Sequence, residues 1–370
     1  MESAVKVGVV GYGMMGRIHA RAWWSGMSGA KIVAIAEPVQ ERQDEVRRMY
    51  TGPVFPNIVD MLGSGLRPDI IIVATHVSRH LSDTLMALQS GCHVVCEKPM
   101  ALTLGECDIM VAEAKRRNLK LAVNHQSIFS RAVTVAEQKI TAGDIGELYA
   151  IKAYGKGRIA CSDLMEIAGH LLHLMRYFAK GDATEIFGDV TYKGKPVTID
   201  DVVRIQDLYS EGRDSGYGAG DRMFAYYKFS SGVRGELNLA ALKGAPDTFT
   251  EKLGNSRNYG YFIELCGTAG RMQLYLPRVL FFNSSPYDDL AKNATPWVEV
   301  DSRLREETDP ILIRRLNEQF LTAIKEDNDP VVSGNIGRMV MEMTLGVYAS
   351  HLSRRPVALP LVDRGHPFSR

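Results

Sequence analysis

The chain has 370 residues, of which 24% are charged and 45% are hydrophobic, as is usual for a globular protein. Its 44 Lys and Arg residues and 43 Asp and Glu residues leave a net charge of +1, which removes the strongest electrostatic argument for a nucleic-acid or acidic-membrane partner but leaves a local basic patch open. The length corresponds to about two or three typical domains.

The cysteines form neither a disulfide framework nor a paired zinc motif. Their number, 5, is odd, and only Cys92 and Cys96 lie close together. We therefore expect reduced thiols in a cytoplasmic protein. Residues 1–6 carry no signal-peptide pattern, and the longest aliphatic stretch, residues 70–74, is far shorter than the roughly 18 residues of a membrane span. We expect no membrane partner.

Apolar runs alternate with helical patterns along the first third of the chain. Almost wholly apolar runs are typical of parallel strands that are buried on both faces. This alternation predicts an α/β, doubly wound Rossmann domain over residues 1–125. The predicted strands are Val5–Val10, Lys31–Ala36, Asp69–Thr75, His93–Cys96 and Leu119–Asn124. The predicted helices are Met14–Ser25, Glu41–Tyr50, Arg79–Gln89 and Thr103–Arg117, the last with a capping box formed by Thr103 and Glu106.

A glycine-rich turn follows the first predicted strand and opens the first helix. In this context a GxGxxG motif predicts dinucleotide binding. The first glycine permits the tight turn, the second lets the backbone approach a pyrophosphate, and the third lets the helix pack on the strand. Free N–H groups at the helix N-terminus would bind the phosphates. The alternative is a purely structural junction. The predicted coenzyme contacts are Gly11, Gly13, Met14, Met15 and Gly16.

A carboxylate ends the second predicted strand. Glu37 lies a little beyond the usual spacing of about 20 residues after the first glycine. It would accept hydrogen bonds from the adenosine ribose and repel a 2′-phosphate, which favours NAD over NADP. The alternative is a solvated carboxylate at a strand end.

A lysine, Lys98, follows the strand at residues 93–96. It lies past the carboxyl end of a parallel strand, where doubly wound sheets bind ligands. A lysine there can stabilise negative charge on a substrate oxygen as hydride leaves the carbon. Taken alone, a lysine at such a position is more often a surface residue in a turn.

Three sets of residues form recognisable motifs: Cys96-Glu97-Lys98-Pro99 with Ala101-Leu102-Thr103, Ala74-Thr75 with His80, and Val123-Asn124-His125-Gln126. Together they resemble the Gfo/Idh/MocA family of sugar and inositol oxidoreductases. The resemblance implies that Lys98 is catalytic and that the Lys98–Pro99 bond is cis. It also implies coenzyme contacts from Thr75, His76, His80, Glu97, Lys98, Asn124 and Gln126, with His76 standing where a proline is common.

The pattern changes after about residue 125. Alternating strands with tight turn signals predict an α+β domain over residues 126–370 with a large, mostly antiparallel, open sheet. In the family this sheet face makes oligomer contacts, so the resemblance implies a homodimer or homotetramer. The predicted strands are Leu148–Tyr154, Glu185–Tyr192, Val202–Leu208, Met223–Phe229, Arg234–Ala241, Tyr261–Cys266 and Arg271–Tyr275; Pro310–Lys325 and Asn335–Leu352 are predicted helices.

A helix predicted over Leu164–Arg176 carries the chemistry of the second domain. Glu166, His170 and His173 lie near one face of such a helix. The family resemblance aligns His170 with a histidine that accepts the proton of an oxidised alcohol, and Glu166 with a supporting carboxylate. His173 replaces an Asp, which puts the usual support of the lysine in doubt. The alternatives are packed structural histidines or a metal site formed by the three side chains, and we expect no metal.

Arg158 precedes this helix in a basic segment, Tyr154–Arg158. It is placed to bind a carboxylate, phosphate or sulfonate of the substrate, and the alternative is a solvated basic loop. With Lys98, Glu166, His170 and His173, it completes the predicted substrate-binding set.

Three functions follow from these motifs. The first is an NAD-dependent oxidoreductase of a sugar, inositol or polyol hydroxyl, in which Lys98 and His170 handle the hydroxyl proton. The second is an NAD-dependent glycosidase that oxidises the sugar transiently, eliminates the aglycone, adds water and returns the hydride, with an anionic sugar as one candidate substrate. The third is a non-catalytic NAD-sensing protein.

Overall fold

The computed structural model describes residues 4–24, 29–155, 163–166, 168–206, 214–240, 262–275, 279–285 and 296–369. These residues fall into two compact units, which we describe separately. The first unit consists of the described parts of Met1–Gln126, Arg204–Gly216 and Thr308–Met341, and the second of those of Ser127–Val203, Tyr217–Glu307 and Glu342–Arg370. A functional division at residue 125 stays a prediction.

The first unit contains a parallel sheet in the order β3-β2-β1-β4-β5-β6. This order reverses between β1 and β4, as in doubly wound folds. The prediction of a Rossmann domain is confirmed. Its strands are β1 (Val5–Val10), β2 (Ala30–Ala36), β3 (Val54–Phe55), β4 (Ile70–Val73), β5 (His93–Cys96) and β6 (Leu121–Val123).

Helices follow the strands of this sheet. They are α1 (Met14–Trp24), α2 (Gln40–Met49), α3 (Ile58–Gly63), α4 (Val77–Gln89) and α5 (Leu104–Arg116). The predicted capping box is confirmed, because the Thr103 hydroxyl accepts from the Glu106 N–H while the Glu106 carboxylate accepts from the Thr103 N–H. All four residues of β4 are completely buried, which explains their wholly apolar sequence.

The second unit is built on a larger sheet in the order β17-β16-β15-β14-β7-β13-β12-β8-β18, with β9 beside β8. Neighbours are antiparallel except β7 and β13, which run parallel, so the predicted mixed and mostly antiparallel sheet is confirmed. The strands are β7 (Leu148–Gly155), β8 (Ala183–Tyr192), β9 (Lys195–Pro196), β12 (Arg222–Phe229), β13 (Arg234–Ala240), β14 (Phe262–Gly267), β15 (Arg271–Tyr275), β16 (Val279–Asn283), β17 (Val298–Glu299) and β18 (Val357–Ala358).

One predicted strand of the large sheet belongs elsewhere. The stretch predicted as Val202–Leu208 forms β10 (Val203–Gln206), which pairs with β11 (Asp214–Gly218) in a separate two-stranded ribbon. Placing it in the large sheet was wrong, because alternation identifies a strand without identifying its partner.

Helices cover one face of the large sheet. Residues alternate between buried and exposed along β12, which is the pattern of a sheet with one covered face. The second unit contains α6 (Arg131–Thr141), α7 (Asp163–Glu166) and α8 (Ala168–Ala179). Helix α9 (Asp309–Lys325) belongs to the first unit, and α10 (Gly334–Ser353) has residues in both. Within the described ranges, no helix is long and apolar enough to cross a membrane.

Candidate active site

The glycine-rich turn leaves β1 at the point where the strand order reverses. Gly11 has φ +89°, and a Cβ there would lie 2.5 Å from the carbonyl oxygen of Ala74. A Cβ at Gly16 would lie 2.0 Å from the carbonyl oxygen of Gly11. Both positions therefore require glycine for the turn and for the packing of α1, as the motif predicted.

Gly13 differs from its neighbours. The only atom near a Cβ built there is Nη1 of Arg42, at 3.9 Å, so the described residues leave this side open. The packing of the chain does not demand glycine at this position, whereas close approach of a pyrophosphate would. Helix α1 begins at the next residue, Met14, which is 43% exposed, and the first N–H groups of a helix have no partner within it and can bind phosphate. The turn Gly11–Gly16 and the start of α1 thus form a cradle that fits a dinucleotide.

Glu37 lies one residue past β2 and is almost completely buried. Its carboxylate accepts hydrogen bonds from the backbone N–H of Tyr12 at 2.6 Å and from that of Val39 at 3.0 Å. Nη1 of Arg42 lies 3.7 Å from the same carboxylate. The acidic side chain is therefore fixed beside the glycine-rich turn, where it can accept further hydrogen bonds on its remaining lone pairs.

The residues after β4 are held by buried side chains. The Thr75 hydroxyl donates to Asp83 at 2.9 Å. The ring of His80 lies between two carbonyl oxygens, with Nε2 at 3.0 Å from Thr75 and Nδ1 at 2.9 Å from Pro99. His76 is also buried, and its Nδ1 lies 3.0 Å from the hydroxyl of Ser78.

The turn after β5 contains a buried carboxylate beside the candidate lysine. Oε1 of Glu97 lies 2.7 Å from Nε2 of His19 and accepts from the side-chain amide of Asn124 at 2.6 Å. Oε2 accepts from the backbone N–H of Lys98 at 3.2 Å. The Lys98–Pro99 peptide bond is cis, as the resemblance implied, and the Lys98 side chain is half-buried.

The surroundings of Glu97 favour its charged form. Burial raises the pKa of its carboxyl, but the hydrogen bond and charge of His19, the charge of Lys98 and the bond from Asn124 outweigh this and lower the pKa. The site therefore holds a buried carboxylate beside Lys98.

Two amide side chains follow β6 at the same edge of the sheet. Asn124 and Gln126 are buried, and the Asn124 Oδ1 and Gln126 Oε1 atoms have no hydrogen-bond partner among the described residues. Buried acceptors of this kind are uncommon in folded proteins and fit a bound donor. Both residues were predicted as coenzyme contacts.

His19 was missed by the sequence prediction, which gave it no role. Its side chain on α1 is completely buried and contacts Glu97 across 78 residues of sequence. A histidine three positions after Gly16, on the helix face that packs on the sheet, was the available signal, but it does not identify the partner.

In the second unit, α8 carries both predicted histidines. His170 and His173 are buried, three residues apart. Burial and the charge of Arg176 lower the pKa of His173 to about 3, so this ring is neutral near pH 7. Glu166 ends α7, whereas α8 begins at Ala168, and the side chain of Glu166 is outside the described set. Arg158 also lies outside the described residues.

The alternative of a metal site at Glu166, His170 and His173 stays a prediction, because the side chain of Glu166 is outside the described set. In the portion of the chain that the structure describes, no group of three or more His, Cys, Asp or Glu side chains could hold a metal ion.

The fold and the cradle together define a dinucleotide-binding Rossmann protein. Residues 5–125 match the model of the Gfo/Idh/MocA family, an oxidoreductase family with an NAD-binding Rossmann fold. The resemblance inferred from the motifs is confirmed over residues 5–125. The predicted coenzyme, NAD, agrees with this assignment.

Known relatives include sugar and inositol dehydrogenases. The chain is 28% identical over 151 residues to glucose-6-phosphate 3-dehydrogenase of Bacillus subtilis, a match that covers 41% of this chain and 42% of the relative. It is 24% identical over 254 residues to scyllo-inositol 2-dehydrogenase (NAD(+)) of the same organism, covering 65% and 68%. The chain thus spans less than half of the first relative and about two thirds of the second.

The fold has close structural neighbours over nearly the whole chain. A levoglucosan dehydrogenase in complex with NADH and levoglucosan has a TM-score of 0.74 and 18% identity, covering 97% of this chain and all of that one. At 18% sequence identity, this similarity shows a shared fold and nothing further.

Proposed function

We propose that the protein is an NAD-dependent oxidoreductase that acts on a secondary alcohol of a sugar, inositol or related polyol. The observation that carries the proposal is the anchored lysine turn: Lys98 follows β5 in an NAD-binding fold, and its N–H is bound by the buried carboxylate of Glu97. The names of the relatives supply the substrate class.

The chain's own residues have separate tasks in this reaction. The cradle of Gly11–Gly16 and Glu37 would bind the coenzyme, and bound NAD supplies the hydride acceptor. Lys98 would hydrogen-bond the substrate oxygen and stabilise its negative charge as the C–H hydride leaves. His170 would accept the hydroxyl proton, leaving a ketone and an imidazolium.

A panel of alcohols tests this function. The protein is incubated with NAD and scyllo-inositol, myo-inositol, glucose 6-phosphate, methyl glucoside or levoglucosan, and NADH is followed by absorbance. We expect NADH to accumulate with at least one of them. No NADH with any of them, at protein concentrations equal to the coenzyme, would contradict the proposal.

The same preparation tests the glycosidase alternative. Nitrophenyl glycosides are added with catalytic NAD, and release of nitrophenol is followed together with NADH. Release without NADH would replace net oxidation by a redox-neutral cleavage. The NAD-sensing alternative predicts that NAD binds, that neither signal appears, and that Lys98→Ala leaves the cellular role of the protein intact.

The substrate contacts of the second unit are part of the proposal. Arg158, Glu166 and His173 are proposed to bind the substrate, and a basic Arg158 favours an anionic sugar. Arg158→Ala would then raise KM for glucose 6-phosphate far more than for myo-inositol while leaving the Kd of NAD unchanged.

We also propose that the protein is a cytoplasmic homodimer or homotetramer. The open face of the large sheet carries the exposed aromatic residues Phe187 and Phe224 on neighbouring strands. Light scattering during gel filtration would report the assembly, and a monomer at micromolar concentration would contradict it.

A further inference from the structure

Two buried histidines flank the turn that carries Lys98, and neither takes part in the proposed proton and hydride transfer. His80, implied above as a coenzyme contact, has both ring nitrogens against backbone carbonyls. His19 comes from α1 and is completely buried, and His80 comes from α4 and is 1% exposed. Histidine is found less often in a fully buried position than the aliphatic residues that would fill the same space.

The first histidine acts on the turn through Glu97. Its Nε2 lies 2.7 Å from Oε1 of Glu97, while the other carboxylate oxygen accepts from the backbone N–H of Lys98 at 3.2 Å. These two contacts therefore connect α1, the helix that begins in the glycine-rich turn, to the backbone amide of Lys98 through one buried carboxylate.

The second histidine acts on the other side of the lysine. Nδ1 of His80 lies 2.9 Å from the carbonyl oxygen of Pro99, and Nε2 lies 3.0 Å from that of Thr75. A carbonyl can only accept, and a neutral imidazole carries one N–H, so a neutral ring donates to either Pro99 or Thr75, and only an imidazolium donates to both. The ring thus lies between the turn after β5 and the residue that follows β4.

Burying these polar side chains costs free energy of folding, so their presence calls for an explanation. A buried carboxylate needs charged or polar partners to offset its desolvation, and apolar side chains of similar volume would often be at least as stable. A group that acts on a substrate oxygen must be held close to its productive position, because a displacement of about 1 Å can cost on the order of 100-fold in rate.

We propose that His19 and His80 are positioning residues that fix the turn Glu97–Pro99 and thereby hold Lys98 in place, His19 through the carboxylate of Glu97 and His80 through the carbonyl of Pro99. This inference rests on the proposed function of Lys98. It predicts that loss of either ring slows hydride transfer without weakening NAD binding.

The test compares three buried histidines. His19→Leu and His80→Leu remove the hydrogen bonds. His19→Gln keeps a donor near the position of Nε2, and His80→Asn keeps one near that of Nδ1. His351→Leu is the matched control, because this buried histidine of the second unit contacts the backbone of Val190 and Val197 and takes no part in the turn.

Three quantities are measured in the full chain. Hydrogen–deuterium exchange of the peptide that contains the Lys98 amide reports the turn. Calorimetry gives the Kd of NAD. The single-turnover rate of NAD reduction is measured with the alcohol of the panel above that the wild type oxidises fastest, so that product release does not limit the signal.

We expect His19→Leu and His80→Leu to exchange the Lys98 amide faster and to reduce NAD about 10- to 100-fold more slowly, with the Kd of NAD within about threefold. His19→Gln and His80→Asn should recover most of the rate. His351→Leu should change neither exchange nor rate, even if it lowers Tm.

The proposal is overturned if both leucine variants keep wild-type exchange at Lys98, if their rates stay within twofold of the wild type, or if His351→Leu slows the reaction equally. Exchange is measured without substrate, so it decides the role of the histidines even if no alcohol of the panel is oxidised. In that case it is the proposed function, and not the anchoring of the turn, that fails.

Discussion

The imidazole of His19 and the carboxylate of Glu97 lie 2.7 Å apart, both buried, although 78 residues separate them in the sequence. This contact connects the helix that follows the glycine-rich turn to the turn that carries Lys98. A residue of α1, the helix that begins in the glycine-rich turn, therefore contacts the carboxylate that binds the backbone N–H of Lys98.

Alanine substitutions at Gly11 and Gly13 should have different effects, the first on stability and the second on NAD binding. Gly11→Ala would place a Cβ 2.5 Å from a backbone oxygen at φ +89°, so it should destabilise the fold by on the order of 2 kcal/mol or more. Gly13→Ala has open space and should leave Tm nearly unchanged while weakening NAD binding about 10-fold or more. Thermal unfolding and calorimetry measure the two effects.

Gly65→Ala is the matched control for this comparison. Gly65 has φ +84°, and a Cβ built there has nothing within 4 Å, so alanine meets only the backbone cost of about 1 kcal/mol. If Gly13→Ala lowered Tm as much as Gly11→Ala, the open side of Gly13 would not be a ligand surface.

Coenzyme choice should depend on Glu37. Replacing it with Ser removes the carboxylate that the N–H groups of Tyr12 and Val39 bind, and leaves Arg42 beside the vacated space. We expect the affinity for NAD to fall about 10-fold or more and that for NADP to rise, because an arginine can bind a 2′-phosphate. Titration with both coenzymes measures this.

The double variant Glu37→Ser/Arg42→Ala separates the two contributions. It should lose the gain in NADP affinity while keeping the loss for NAD. Equal NADP binding by the single and double variants would exclude Arg42 from this role.

The pH dependence of stability should report His173. Its pKa is lowered to about 3, so between pH 6.5 and about 3 the unfolded chain binds a proton that the folded chain does not. The free energy of unfolding therefore falls as the pH falls through this window. His173→Leu should flatten that slope in urea titrations at a series of pH values.

His366 provides an internal comparison, because burial lowers its pKa to about 4. His366→Leu should flatten the slope between pH 6.5 and about 4, and the double variant should be flatter than either single one. An unchanged slope in His173→Leu would mean that this histidine is protonated in the folded protein.

Local patterns predicted most of the first unit. The capping box at Thr103 and the strained turn at Gly11 each depend on a few neighbouring residues, so sequence alone identifies them. The strand β3 was missed because Val54 and Phe55 are too few to show a period.

Contacts across the fold could not be predicted in the same way. The partners of Glu97 come from α1 and from the end of β6, and they meet only because the sheet order brings β1, β4, β5 and β6 together. In the second unit, the strand at Val203–Gln206 was identified but its pairing was not, because pairing depends on partners distant in sequence.

The central claim is that Lys98 acts on the oxygen of the reacting alcohol, and the single-turnover rate of NAD reduction by Lys98→Ala tests it most directly. With the fastest alcohol of the panel, we predict a rate about 100- to 1000-fold below that of the wild type, with the Kd of NAD within about twofold. A rate equal to that of the wild type, at unchanged NAD affinity, would contradict the claim.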